Sequence, residues 1–172
     1  YCRGEGTLMK PVLDSLSEEV GRKLRAAGLT IACAESCTGG LLTSTLTDVP
    51  GSSFYVMGSV VSYSNDVKSR ILHVSGDTLA VFGAVSAETA HEMAEGVRNL
   101  IQTDIGVGIT GITGPDGGSC EKPVGLVYIA VSTGAHITAS KNNFPGTRAE
   151  NKMMAVEKAL TMIQSAIRSI DG

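Results

Sequence analysis

"LTIACAESCTGGLLTSTLTDV" (29–49) decides how this chain is read. Its start, "LTIACA" (29–34), is a short β-prone run, and "LLTSTLTDV" (41–49) reads as a short helix that stops at Pro50-Gly51. Between them, "CAESCTGG" (33–40) packs a serine, a cysteine, a threonine and two glycines into one bend. A strand feeding such a bend and then a helix places Ser36, Cys37 and Thr38 at a helix N-terminus. Free N–H groups there point outward and carry partial positive charge, so the bend can bind an anion or hold the oxyanion of a tetrahedral intermediate. Ser and Thr also cap helices routinely. The local pattern alone leaves both readings open.

Outward from that stretch, helices and strands alternate. Leu13, Leu16, Val20 and Leu24 recur at helical spacing in a segment that Gly28 ends, which predicts a helix over 8–28. "FYVMGSVVSYS" (54–64) predicts a strand, and "NDVKSRIL" (65–72) a helix capped by Ser64 or Asn65. A helical turn follows near 77–82, then a helix over 86–102 with Ser86 as its N-cap. "DIGVGIT" (104–110) reads as a buried strand and 111–123 as a glycine-rich loop. The runs 124–133 and 136–144 are joined by Gly134-Ala135 and should pair antiparallel, and 145–170 is an amphipathic helix. The expected fold is a three-layer α/β/α sandwich on a mixed, mostly parallel sheet.

The 172 residues fit a single domain over 8–172, with 1–7 a loose or added N-terminal tail. Aromatics are few and Trp is absent, so Val, Ile, Leu, Ala and Met must build the core. The net charge of −3 comes without a Lys/Arg-rich stretch, which argues against nucleic acid as a partner. No apolar run approaches a membrane span and no charged-then-apolar leader is seen. Four cysteines without dense spacing then point to reduced thiols in the cytoplasm.

Several patterns only resemble chemistry. "GVGITG" (106–111) matches the dinucleotide fingerprint in letters, but its glycines fall inside a strand instead of a turn that opens a helix. Glycines in a strand more often admit a close backbone or ligand. "HEMAE" (91–95) ends in Glu95 where a zinc motif needs His. His73 and His136 lack a G-x-S-x-G partner, Cys33 and Cys37 have the wrong spacing for a zinc knuckle, and no P-loop is present. No metal and no organic cofactor is expected.

Three segments add weight to the bend. "VVSYSNDVK" (60–68) brings Tyr63 to a strand end and Lys68 into the first turn of the next helix. There the helix dipole and burial lower the lysine pKa while Asp66 raises it, and a depressed lysine can activate a serine. The loop "GITGPDGGSCEKP" (111–123) offers many N–H groups and suits a phosphate or sugar, with the hydroxyls of Thr110 and Thr113 at hand. "NFPGTRAE" (143–150) puts Arg148 at the start of the last helix, an unfavourable place for a cation without an anion such as a phosphate or a carboxylate nearby.

"AESCTGG", "YSNDVK", "GAVSAETA", "GITGPDGG" with "KPVGLVYIA", and the Gly-x-Arg of "PGTRAE" together resemble the CinA C-terminal domain family, from about Leu8 onward. Its members include stand-alone nicotinamide-nucleotide amidases. The resemblance implies hydrolysis of nicotinamide mononucleotide to nicotinate mononucleotide and ammonia, in recycling of the pyridine nucleotide NAD. It implies Ser36 as nucleophile, Lys68 as general base and Tyr63 beside them. N–H groups at Thr38, Gly39 and Gly40 are the expected oxyanion donors. Thr110, Gly111, Thr113, Gly114, Gly117, Gly118 and Arg148 are the expected substrate-binding set. A small-molecule nucleotide and further copies of the chain, as a homo-oligomer, are the expected partners. Larger family members carry an extra N-terminal domain, for which this chain has no room, so the related pyrophosphatase activity is not expected. Two other readings stand beside it: an amidase that uses the Cys37 thiol, lowered in pKa at a helix N-terminus, and a sensor that binds a phosphate ligand without chemistry.

Overall fold

The computed structural model describes residues 5–171. In chain order the elements are α1 (Glu5–Ala27), β1 (Ile31–Glu35), α2 (Leu41–Thr47), β2 (Val56–Val61), α3 (Asn65–Leu72), α4 (Gly76–Val81), α5 (Ala87–Ile101), β3 (Ile105–Gly111), β4 (Leu126–Ser132), β5 (Ile137–Asn143) and α6 (Arg148–Asp171). The strands form one sheet in the order β2-β1-β3-β4-β5. β1 pairs parallel with β2 and β3, whereas β4 pairs antiparallel with both β3 and β5. The mixed sheet is therefore parallel on the side of the bend and antiparallel at the late hairpin.

Side-chain alternation along the strands sorts the two faces. Ile31 and Cys33 of β1, with Ile105, Val107 and Ile109 of β3, pack against Val20 and Leu24 of α1 and Leu160 and Ile163 of α6. Ala32 and Ala34 turn the other way and meet Met93 and Val97 of α5, with Leu72 of α3. Large residues thus face one helical layer and small ones the other. The sheet side toward α5 is stripped furthest at Gly106 and Gly108. A Cβ on either would overlap a backbone carbonyl oxygen of α5, that of Ala94 or Ala90. The strand glycines of "GVGITG" let a helix backbone lie directly on the sheet, which is how glycine inside a strand is commonly used.

The boundaries differ from the sequence-based ones in a few places. Of the tail expected at 1–7, residues 1–4 lie outside the described residues, and 5–7 belong to α1, which runs on through Pro11. The segment 54–64 opens with a 3-10 turn, Ser52–Phe54, entered through Gly51 at φ 84°, so its strand starts only at Val56. That strand stops at Val61 because the carbonyls of Ser62 and Tyr63 turn toward a lysine. Ser64 caps α3 by accepting from the Val67 N–H, and Ser86 caps α5 by accepting from Thr89. The loops leaving the carboxyl ends of β1, β2 and β3 meet in one crevice, where ligands of open α/β sheets bind.

Gly108→Val drives a branched side chain into the α5 backbone and is expected to cost about 3 kcal/mol. Gly28→Ala, in open space but at φ 65°, should cost only about 1 kcal/mol. Urea unfolding midpoints of the two variants check the order.

Candidate active site

The site is built on the last residue of β1. Glu35 is fully buried, and its carboxylate accepts from the N–H groups of Gly40 (3.1 Å), Leu42 (3.1 Å) and Thr43 (2.8 Å) and from the Thr43 hydroxyl (2.8 Å). The orphan donors at the start of α2 are therefore satisfied from within the protein. Ser36 continues the ladder one residue past β1 by donating its N–H to the Ile109 carbonyl at 3.0 Å. The chain then turns through Gly39 and Gly40, at φ 62° and 98°, a left-handed path that suits residues without Cβ. Ser36 is thus held between a strand and a turn whose far end is tied to Glu35.

Lys68 approaches from α3. It is 1% exposed, and its ammonium donates to the Ser36 hydroxyl at 3.1 Å, the Ser62 carbonyl at 2.7 Å and the Tyr63 carbonyl at 3.5 Å. All three acceptors are uncharged. Burial therefore lowers the Lys68 pKa from its ordinary 10.5, countered in part by the Cys37 thiol. Asp66 does not enter, because it pairs with Arg70 at 3.3 Å on the exposed side of α3. A lysine deprived of a counter-charge and bonded to a serine hydroxyl has the geometry of a base poised on a nucleophile.

Cys37 follows a different course from the one its position suggests. The thiol is 6% exposed, and burial pushes its pKa up to about 12, against a lesser downward pull from its own backbone N–H and, more weakly, from Lys152 and Lys68. The Glu35 carboxylate below the turn also raises it, though by less than the backbone N–H of Cys37 lowers it. A thiol in this state is hardly ionised near neutral pH and is a poor nucleophile.

Ser36, Cys37, Tyr63, Lys68 and Arg148 line one cavity of about 260 Å³ with the glycine-rich loop. Arg148 donates to the Gly114 carbonyl at 2.6 Å and to the Tyr63 hydroxyl at 3.2 Å, and so bridges the loop, the end of β2 and α6. Asn151, fully buried one turn on, donates to the Thr113 carbonyl at 3.1 Å and accepts from the Gly146 N–H at 2.9 Å. A larger hollow of about 530 Å³ between α3 and α5 brings together Glu92, Glu95 and Asn99 but no nucleophile. Among the described residues no group of three or more His, Cys, Asp or Glu side chains is placed to hold a metal ion. No described helix is long and apolar enough to cross a membrane.

The model of the CinA C-terminal domain matches residues 13–167. The chain belongs to the CinA C-terminal domain family. A CinA-like protein of Syntrophomonas wolfei is 45% identical over 91% of this chain, and one of Gemmatimonas aurantiaca is 50% identical over 80%. This chain covers only 38% and 32% of those two relatives' lengths. The crystal structure of a competence/damage inducible protein from Agrobacterium tumefaciens superposes with a TM-score of 0.88 at 38% identity, covering 91% of this chain and 96% of that one.

Within this CinA domain the residues singled out from sequence do not all share one place. Ser36, Tyr63, Lys68, Thr110, Gly111, Thr113, Gly114, Gly117 and Arg148 line the cavity. Thr110 is buried there, with its hydroxyl donated to the Ala84 carbonyl at 2.7 Å. Gly118 instead packs against the backbone of Val124, where a Cβ would come within 2.7 Å of the Val124 nitrogen. Thr38, Gly39 and Gly40 are not among the lining residues. The Gly39 N–H is taken by the Ser36 carbonyl at 3.1 Å and the Gly40 N–H by Glu35, so neither glycine is free to donate to a ligand. The cavity also holds Asn65 and Asp116, which sequence reasoning passed over. Asn65 opens α3 beside the capping serine and Asp116 sits in the glycine-rich loop, and their only signal was membership of those motifs.

Two measurements test this description. With Cys2 replaced, iodoacetamide at neutral pH should label the exposed Cys120 and spare the buried Cys33 and Cys37, as mass spectrometry of the native protein would show. Glu35→Ala strands three backbone donors at the start of α2 and is expected to cost about 3 kcal/mol or more in urea unfolding.

Proposed function

We propose that this domain hydrolyses the carboxamide of nicotinamide mononucleotide to nicotinate mononucleotide and ammonia. The observation that carries the reading is the 3.1 Å hydrogen bond between Lys68 and Ser36, formed in a buried setting that lowers the lysine pKa. An uncharged Lys68 amine takes the Ser36 proton as the hydroxyl oxygen attacks the amide carbon. The oxyanion falls to the N–H groups of Cys37, the residue after the nucleophile, and Thr38, since Gly39 and Gly40 are engaged elsewhere. Lys68 returns the proton to the departing ammonia. A water molecule, deprotonated by Lys68, then cleaves the nicotinoyl ester and regenerates Ser36.

The glycine-rich loop and Arg148 hold the ribose phosphate, so binding energy from a part of the substrate remote from the bond broken orients the amide. Arg148 is already drawn across the cavity by Gly114 and Tyr63. Its guanidinium is preorganised for a phosphate instead of being left to search for one.

Ammonia release from nicotinamide mononucleotide tests the proposal. Ser36→Ala and Lys68→Met should each lower turnover by on the order of 10³-fold, while Cys37→Ala keeps the activity. Tight binding of the nucleotide with no ammonia from wild type would make this a binding module. Turnover should rise with pH through the lowered Lys68 pKa, because only the unprotonated amine can accept the serine proton. Stability follows the same group. The unfolded lysine titrates near 10.5 and the folded one below that. Between those two values the unfolded chain binds more protons, so folding stability should rise with pH there, and the rise should vanish in Lys68→Met.

A further inference from the structure

Asn151 is fully buried one turn beyond Arg148 on α6, and both ends of its side-chain amide are bonded to backbone. Its nitrogen donates to the Thr113 carbonyl at 3.1 Å, and its oxygen accepts from the Gly146 N–H at 2.9 Å. One partner is an acceptor and the other a donor, which fixes the orientation of the amide. The glycine-rich loop is thereby tied to the turn that leads into α6 and Arg148. Arg148 donates in its turn to the next loop carbonyl, that of Gly114, at 2.6 Å. Two consecutive carbonyls are thus drawn onto one helix.

The Thr113–Gly114 peptide is trans and planar, so its N–H points opposite to its C=O. With the carbonyl held toward Asn151, the Gly114 N–H faces the other way, toward the cavity that Thr113 and Gly114 line. Gly114 is buried, yet its N–H has no acceptor among the described residues. Such orphaned donors are rare in native folds. Thr113 is 3% exposed, and its hydroxyl is also without a partner among the described residues. Unlike the unpartnered hydroxyls of Thr38 and Ser62, it is not sealed off, so it opens on the same cavity. Both groups adjoin the Arg148 guanidinium, and donors beside a fixed cation suit the oxygens of an anion.

We propose that Asn151 is a positioning residue: by holding the Thr113 carbonyl it presents the Gly114 N–H, with the Thr113 hydroxyl, to a phosphate oxygen of the ligand. This rests on reading the cavity as a mononucleotide site. Asn151 is enclosed behind the loop and acts only through the peptide it holds. Without that hold, the flexibility of Gly114 lets the peptide turn and the N–H lose its aim.

The experiment uses the full chain carrying Ser36→Ala, so that no turnover disturbs binding. Amide NMR spectra of isotope-labelled protein are recorded as nicotinamide mononucleotide or nicotinamide riboside is added. Calorimetry gives both affinities before and after adding Asn151→Ala, and thermal melts establish that the variant is folded. The Gly114 amide is expected to shift with the mononucleotide and to stay near its free position with the riboside. Asn151→Ala should weaken the mononucleotide about tenfold and the riboside less than about twofold. The Gly114 shift needs no change at 151, so it decides the proposal if Asn151→Ala does not fold. A Gly114 amide that stays unmoved or moves equally with the riboside would overturn the proposal. So would equal weakening of both ligands, no weakening of either, or no mononucleotide binding before Asn151 is changed. The amidase reading fails separately. Mononucleotide bound in this Asn151-dependent way, with no ammonia from wild type, sinks the reaction and leaves the positioning role. Ammonia release with an unchanged KM in Asn151→Ala sinks the positioning role and leaves the reaction.

Discussion

The candidate site depends on one buried carboxylate. Glu35 ends β1 with no solvent contact and gathers three backbone N–H groups and a hydroxyl from the start of α2. A buried charge is tolerated only when its lone pairs are filled, and here the fill is the helix N-terminus itself. Two results follow. The bend between β1 and α2 is pinned at both ends, which leaves Ser36 little freedom at the sheet edge. The donors of α2 that a strand-bend-helix pattern would offer to a ligand are also largely consumed, so any oxyanion contact must come from the turn before Gly39.

Lys68 is a second buried charge under the opposite condition. Its partners are a hydroxyl and two carbonyls, all neutral, so nothing nearby compensates the ammonium fully. Desolvation then favours the free amine. Glu35 and Lys68 reach the same bend from different elements, one surrounded by backbone and hydroxyl donors and the other pressed toward neutrality by burial. Cys37 lies between them, buried and with a raised pKa. Two adjacent nucleophilic residues in one motif are separated in chemistry by this environment.

Much of the fold was legible because the signals that specify it act over a few residues. Ser64 and Ser86 could be read as caps because a hydroxyl there meets an N–H three residues on. The hairpin at Gly134 followed from its turn chemistry, and the alternation of helices and strands implied the layered sheet. Two boundaries were missed: α1, expected from Leu8 and through Pro11, begins at Glu5, and the strand expected from 54 is preceded by a 3-10 turn entered through Gly51. In the site, the strand-end serine and the helix-borne lysine stood out locally. Asn65 and Asp116, which line the cavity, and the buried Asn151 that holds Thr113 did not, since polar residues at a surface, beside a cavity or in a core look alike in a linear pattern.

By itself the sequence determined that the chain alternates strand and helix, that a glycine-bearing bend carries Ser36 out of a short strand, and that the motifs resemble those of the CinA C-terminal domain. The first two follow from periodicity, capping and turn stereochemistry, which operate within a helical turn or a pleat, whereas the last rests on the resemblance of the motifs themselves. Only the tertiary structure decided that Lys68, 32 residues away, reaches Ser36, and that Arg148, 85 residues beyond Tyr63, closes on its hydroxyl. It also decided that the Cys37 thiol is largely buried and that Glu35 serves the fold from beneath the bend. Each of these depends on which groups lose water when the helical layers close on the sheet, and the free energy of a charge or a thiol is set by that loss more than by its neighbours in the chain.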